Sequence, residues 1–356
     1  MTQLEQLPIP LLLWYRDNAR VLPWRSAPTP YGVWVSEIML QQTRVAAVLD
    51  YYRRFLDAAP DPAALAALPE DRLMKLWQGL GYYSRARNLQ KAARQIMDDF
   101  GGAFPSTYED IHSLAGVGDY TAGAIASIAF GLPVPAVDGN VLRVTARITG
   151  DEGDITSPAM KKKVTAALAE IIPVDAPGAF NQAMMELGAT VCLPNGAPQC
   201  QRCPAAFLCR AHREGTTGRI PVKAPKKPRR VEERRVYLLF HKNAVALRRR
   251  SARGLLAGLW EYPNAPADEP DFLNELGLAP RGLALAAVGK HIFTHIEWRL
   301  TALAGELSGE QLPPGWVWAE LSQLREIYAL PNAFQFAAPA VERRLAKTES
   351  EGGTAI

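Results

Sequence analysis

The sequence predicts two domains of different class, a mainly α N-terminal domain followed by an α+β C-terminal domain. Three observations predict it: helix start and stop signals run to about residue 210, a basic proline-rich stretch follows, and strand-like alternation takes over after it. At 356 residues the chain is long enough for two cores, and 48% apolar with 21% charged residues is ordinary globular composition.

In the first domain, Ser106 and Glu109 of STYE read as a capping box, and Ser157-Pro158 opens a helix that Pro173 closes. PEDRLMKLWQGLGYYSRARNLQKAARQIMDDFGG reads as two helices bent at Gly79 to Gly81, the second ended by Gly101-Gly102. The helical domain is therefore set at residues 1–218. Residues 219–234 follow as a linker: with Arg235, the stretch RIPVKAPKKPRRVEERR has three prolines and eight Lys or Arg against two Glu, which disfavours a packed core. A solvated linker is the first reading; DNA contact, a nuclear address or a contact for partner proteins remain open for it. Residues 235–347 form the α+β domain, with VYLLF, NAVALRRR and HIFTHIEWRL as strands; the tail, 348–356, reads as disordered.

The start, MTQLEQLPIPLLLWYRDNAR, has no basic leader, and Pro8 and Pro10 cut its apolar run. TAGAIASIAFGLPVPAV is broken by Gly and Pro, so no membrane partner is expected, and the chain is expected to be an intracellular monomer. It would be cytoplasmic and nucleoid-associated in a bacterium, nuclear or mitochondrial in a eukaryote. A net charge of +4 diagnoses no partner by itself.

Chemistry-bearing residues cluster in three places. All four cysteines, Cys192, Cys200, Cys203 and Cys209, lie in one short loop, which suits an iron–sulfur cluster or tetrahedral zinc better than a disulfide framework. In LAGVGDYTAGAIASIAF, Gly116 and Gly118 form a tight turn before an apolar helix, so backbone N–H groups at the helix start can approach a phosphate. In VWVSEIMLQQTRV, Glu37 has Val33, Trp34 and Leu40 as its helical neighbours, and a carboxyl on such an apolar stripe is pushed toward its protonated form.

The hairpin LAGVG, an Asp twenty residues on in VDGN, and the four-cysteine loop together resemble the helix-hairpin-helix DNA glycosylases of the endonuclease III superfamily, over residues 1 to about 210. SEIMLQQT with Glu37, the absence of lysine from the hairpin helix and the appended domain resemble, within it, the adenine DNA glycosylase (MutY) family. That resemblance implies a monofunctional glycosylase of base excision repair that flips adenine out of double-stranded DNA, where it is mispaired with 8-oxoguanine or guanine, and hydrolyses its glycosidic bond. It also implies a [4Fe-4S] cluster on Cys192, Cys200, Cys203 and Cys209, although this chain spaces the first two by seven residues where relatives usually have six.

Residue by residue, the resemblance makes Glu37 the acid that protonates adenine N7 and Asp138 the carboxylate that stabilises the oxocarbenium ion; locally, Asp138 also reads as a helix N-cap. Tyr120, where bifunctional relatives carry a Schiff-base lysine, and Asn140 complete the catalytic surroundings. Trp24, Arg25 and Gln182 match the adenine pocket, Gln42 and Tyr82 match wedges at the lesion pair, and Thr43 and Leu80 match neighbours of the oxidised guanine. The C-terminal domain resembles the family's Nudix-like domain through GLLAGLWEYP and HIFTH. Its counterpart of the Nudix metal helix, PADEPDFLNELG, cannot assemble a carboxylate array, so recognition is expected of it, with Phe293, Thr294 and His295 matching an F-S-H loop that contacts 8-oxoguanine. The alternatives are a bifunctional glycosylase/lyase for oxidised pyrimidines, a non-catalytic iron–sulfur DNA-binding protein and a Nudix nucleotide hydrolase.

Overall fold

The computed structural model describes residues 4–225 and 228–352. It divides into two compact units that do not follow chain order: Met1–Ala67 with Arg87–Lys226, and Leu68–Ala86 with Lys227–Ile356.

The first unit is helical, and proline opens its helices Pro8–Asn18, Pro23–Ser26, Pro30–Leu40, Pro158–Ala169 and Pro177–Thr190, where a missing N–H costs nothing. Ser157 caps its helix through the Met160 N–H, as the sequence suggests. The cap in STYED lies one residue later than expected: Thr107, not Ser106, accepts from the Asp110 N–H at 3.2 Å and donates to the Asp110 carboxylate at 2.7 Å. Both pairs have capping spacing, so spacing alone does not separate them. Val137, Val141 and Val144 share a core with Phe180, Met184 and Leu187 of helix Pro177–Thr190. Gly188 permits the approach at one point, since a Cβ there would lie 2.5 Å from the Asn140 Cβ.

The second unit is built on a seven-stranded sheet of β1 (Arg230–His241), β2 (Ala244–Arg249), β3 (Trp260–Glu261), β4 (Asn264–Pro266), β5 (Arg281–Ile292), β6 (Ile296–Glu306) and β7 (Trp316–Glu320). The order is β3-β2-β1-β6-β5, with β4 beside β1 and β7 beside β2; β1 and β6 run parallel and the other pairs antiparallel. Along β1, Val236, Leu238 and Phe240 enter a core with Trp298, Leu300 and Phe334, while Tyr237 and Leu239 enter another with Leu273 and Leu307. The sheet centre is thus buried on both faces, which is why VYLLF is a continuous apolar run.

Three expectations are corrected. Residues 230–234 of the expected linker are the start of β1, whose backbone pairs with Ile296–Leu300 regardless of the charged side chains. HIFTHIEWRL is two strands, not one: β5 ends at Ile292 and β6 begins at Ile296, the Phe293 N–H bonding the Ile296 carbonyl at 2.8 Å. The last helix, Ala338–Gly352, extends into the stretch expected to be disordered; residues 353–356 lie outside the described residues.

Residues 68–86 carry helix Glu70–Trp77 and a turn with left-handed backbone at Gly79 (φ 104°), Gly81 (φ 73°) and Tyr82 (φ 46°). Side chains satisfy its carbonyls: Arg85 Nη2 donates to Leu80 (3.2 Å) and Gly81 (3.1 Å), and Trp77 Nε1 to Gly81 (3.1 Å).

Candidate active site

In the first unit, helix starts converge on an open cavity of about 960 Å³, lined by Trp24, Arg25, Glu37, Gln42, Thr43, Gly116, Gly118, Tyr120, Asp138, Asn140 and Gln182. Every candidate of the sequence reading that lies in this unit, the cysteines apart, therefore borders one space.

Glu37 sits on helix Pro30–Leu40, nine of whose eleven residues are buried, and is itself only 6% exposed. The Tyr120 hydroxyl donates to its Oε2 at 2.5 Å, and among the described residues no partner is found for Oε1. Burial raises its pKa to about 7, assisted by the Asp138 charge and opposed by the Tyr120 hydrogen bond and the Arg25 charge.

Asp138 is both of the things read from VDGN. It caps helix Gly139–Thr149, accepting from the Val141 N–H at 2.8 Å, and borders the cavity. Asn140 Nδ2 donates to its other oxygen at 2.7 Å, and Arg143 Nη2 donates to the Asn140 side-chain Oδ1 at 2.9 Å. Burial pushes the Asp138 carboxyl up, against hydrogen bonds from Val141 and from the side chain and backbone of Asn140. Glu37 has one such donor, so hydrogen bonding favours the ionised form more at Asp138 than at Glu37.

Trp24 is buried edge-to-face against Tyr52, ring centroids 5.1 Å apart. Gln182 Nε2 donates to Gly178 O at 3.3 Å. Thr43 donates to Gln41 O at 3.4 Å, and Gln42 is exposed with left-handed backbone, φ 59°. Gly116, φ 77°, could hold no side chain, because a Cβ would lie 2.6 Å from that of Asn88; Gly118 is the N-cap of helix Asp119–Phe130.

Sequence reasoning missed Glu186, which is fully buried and bordered by two cations. Its Oε1 accepts from Arg20 Nε at 2.6 Å, and its Oε2 from Arg20 Nη2 and Arg25 Nη2, both at 2.9 Å. Burial pushes this carboxyl up, but hydrogen bonds from Arg20 and the charge of Arg25 outweigh it, leaving the pKa below its ordinary value. A signal existed: Glu186 follows Gln182 by one helical turn, so both face the same side. Met185, whose Sδ lies 3.6 Å from the Tyr120 hydroxyl, was also missed.

The four thiols, all free, line one small apolar cavity of about 20 Å³ with Arg147, whose Nη1 lies 3.2 Å from Cys192 Sγ. Burial raises Cys200 and Cys209 and pushes the Cys203 thiol up to about 12. Among the described residues no three His, Cys, Asp or Glu converge as ligands of a single ion.

The remaining candidates lie in the second unit. Tyr82 is 49% exposed and its hydroxyl is 3.3 Å from Thr294 Oγ1. Thr294 and His295 form the exposed tip of the β5–β6 hairpin. Phe293 turns inward instead, packing edge-to-face on Trp298 with centroids 4.9 Å apart, and Leu80 is buried, its carbonyl accepting from Arg85. No described helix is long and apolar enough to cross a membrane.

Residues 35–173 match the family described as HhH-GPD superfamily base excision DNA repair protein, and residues 235–337 match the NUDIX domain family. The helical fold is that of a solved thermostable thymine-DNA glycosylase, at 27% identity and TM-score 0.55 over 60% of this chain and 97% of that one. Fold and site thus define a helix-hairpin-helix base-excision glycosylase. Along most of its length the chain is similar to the adenine DNA glycosylase of Mus musculus, 36% identical over 91% of this chain and 76% of the relative, and to that of Buchnera aphidicola subsp. Schizaphis graminum, 34% identical over 71% and 73%. It belongs to the adenine DNA glycosylase family, whose members hydrolyse the N-glycosidic bond of adenine in DNA.

Proposed function

We propose that the cavity of the first unit receives an adenine flipped out of duplex DNA opposite 8-oxoguanine or guanine, and that the chain is a monofunctional glycosylase. The observation that carries this is the pairing of a buried carboxyl that holds its proton to about pH 7, Glu37, with a second carboxyl, Asp138, whose two oxygens accept from Val141 and Asn140.

Tyr120 holds Oε2 of Glu37, leaving Oε1 to present the proton to adenine N7. As the glycosidic bond breaks, its electron pair leaves on the protonated base and positive charge develops on the sugar. Asp138, anchored by Val141 and Asn140, supplies the opposing charge. Water then adds to the sugar carbon, its proton passing to a carboxylate, and free adenine and an abasic site result. Tyr120 offers no amine, which supports hydrolysis without strand cleavage. Trp24, Arg25 and Gln182 would hold the base, the latter two by their donors, and the turn Gly116–Gly118 would hold a backbone phosphate.

The four cysteines would carry a [4Fe-4S] cluster. The four sulfurs line one cavity, as ligands of a single group would, and the positive charge of the iron core would offset the burial of thiolates. Bound there, it would cross-link residues 192–209 to one another.

In the second unit, Tyr82, Thr294 and His295 would read the partner base; the hydroxyl of the usual serine is retained in Thr294. Single-turnover assays on duplexes with adenine opposite 8-oxoguanine, adenine opposite guanine, and oxidised pyrimidines test this. Adenine release, faster opposite 8-oxoguanine, is expected; release of pyrimidines, or an adduct trapped by borohydride, would overturn it.

A further inference from the structure

Lys75, on helix Glu70–Trp77, has no part in the chemistry above, yet its ammonium is placed with care. It donates to Gln78 Oε1 at 2.7 Å, to the Leu324 carbonyl at 2.9 Å and to the Tyr328 carbonyl at 3.3 Å. Its three donors thus meet three acceptors, two of them main-chain carbonyls about 250 residues away in sequence. Burial lowers its pKa, but the acceptors are neutral carbonyls that only a donor can satisfy.

What this ammonium holds is a segment under conformational strain. Immediately after the helix come Gly79, Gly81 and Tyr82 with positive φ, and for Tyr82, a residue with a Cβ, that backbone is strained. Asn332 provides a second tie from the same part of the fold, its Nδ2 donating to the Gly79 carbonyl at 3.0 Å. Arg249 provides a third, reaching Asp71 at 3.3 Å and Glu70 at 3.9 Å. At the far end of the turn Tyr82 meets Thr294. Residues 70–82 interrupt the sequence of the helical domain but are bonded into the β-sheet unit at both ends of the turn.

We infer that Lys75 is a positioning residue for recognition of the base opposite adenine: by tying helix Glu70–Trp77 to the Leu324 and Tyr328 carbonyls, it fixes the turn that aims Tyr82 at Thr294. This rests on the reading of Tyr82 and Thr294 as the parts that sense 8-oxoguanine. Lys75 touches no substrate in this scheme and acts through Tyr82.

The test uses the full chain, its Lys75→Met and Lys75→Arg variants, and Asn332→Ala, which removes the exposed tie at Gly79 if Lys75→Met does not fold. Single-turnover rates are measured on duplexes with adenine opposite 8-oxoguanine and opposite guanine, with melting temperature recorded beside them. Lys75→Met is expected to lower the ratio of the two rates by about tenfold, mainly through the 8-oxoguanine duplex, Asn332→Ala to lower it less, and Lys75→Arg to restore most of it. A merely structural role would reduce both rates by one factor and leave the ratio intact, and that result in Lys75→Met and Asn332→Ala would overturn the inference. If the unaltered chain itself shows no preference, the reading of Tyr82 and Thr294 fails, and this inference with it; if it discriminates and the variants do too, only the inference fails.

Discussion

The cavity of the first unit and the hairpin-and-turn of the second unit do opposite things with burial. In the cavity, Glu37 and Glu186 are buried acids whose protonation is set by what surrounds them, one raised to about 7 and the other held below its ordinary value by two arginines. In the second unit the candidate contacts Tyr82, Thr294 and His295 are exposed, and what is fixed there is backbone, through left-handed φ values and bonded carbonyls. Proton chemistry requires a dry carboxyl; reading a base on a partner strand requires a rigid, accessible edge. One chain supplies the two needs from two cores.

The sharpest way to break this contrast is Glu37→Gln. It keeps the shape and removes the acid, so base release should fall by about 10² to 10⁴ while DNA binding is retained, as single-turnover rates and binding isotherms would show. The unaltered chain should lose activity as pH rises through about 7, where Glu37 gives up its proton. Stability follows the same group: its ordinary value is 4.5 and its folded value about 7, so the folded state binds the extra proton. That contribution is complete below pH 4.5 and fades as pH rises through 7, on the order of 3 kcal/mol in all. Denaturant titrations at pH 5 and pH 8 should show a smaller difference between these pH values for Glu37→Gln than for the unaltered chain.

Asp138→Asn separates cap from charge. Asparagine caps a helix about as well as aspartate, so stability should change by less than about 1 kcal/mol while the rate of base release collapses. A variant that kept its rate would remove Asp138 from the mechanism. A smaller effect, about tenfold and confined to the preference for 8-oxoguanine over guanine, is expected of Tyr82→Ala; equal loss on both duplexes would assign Tyr82 to general DNA binding. Thr294→Ser should be the mildest change, within about twofold on either duplex, because the hydroxyl remains.

Much of the cavity was legible because its parts are local: an acid on an apolar stripe, glycines at a helix start, an aspartate before a helix, cysteines in one loop. Glu186 escaped because its meaning depends on Arg20 and Arg25, more than 160 residues away. The hairpin tip was misread because HIFTHIEWRL alternates through its own turn. In the fold Ile292 pairs with Glu297, so it faces away from Trp298 and is exposed. Residues 68–86 gave no hint of their allegiance, since what binds them, the carbonyls of Leu324 and Tyr328, has no residue-type signature.

That discontinuous allegiance changes what it means to cut the chain. A break near residue 227 looks, on paper, like the clean removal of a C-terminal domain, but it strands helix Glu70–Trp77 and its turn without the carbonyls and the asparagine that hold them. The shortened enzyme would carry its own misplaced fragment of the other unit, and any deficit it showed would mix the loss of one reader with the loosening of another. Point substitutions on the far side of the cut, at Asn332 or Thr294, dissect the two units more faithfully than scissors do.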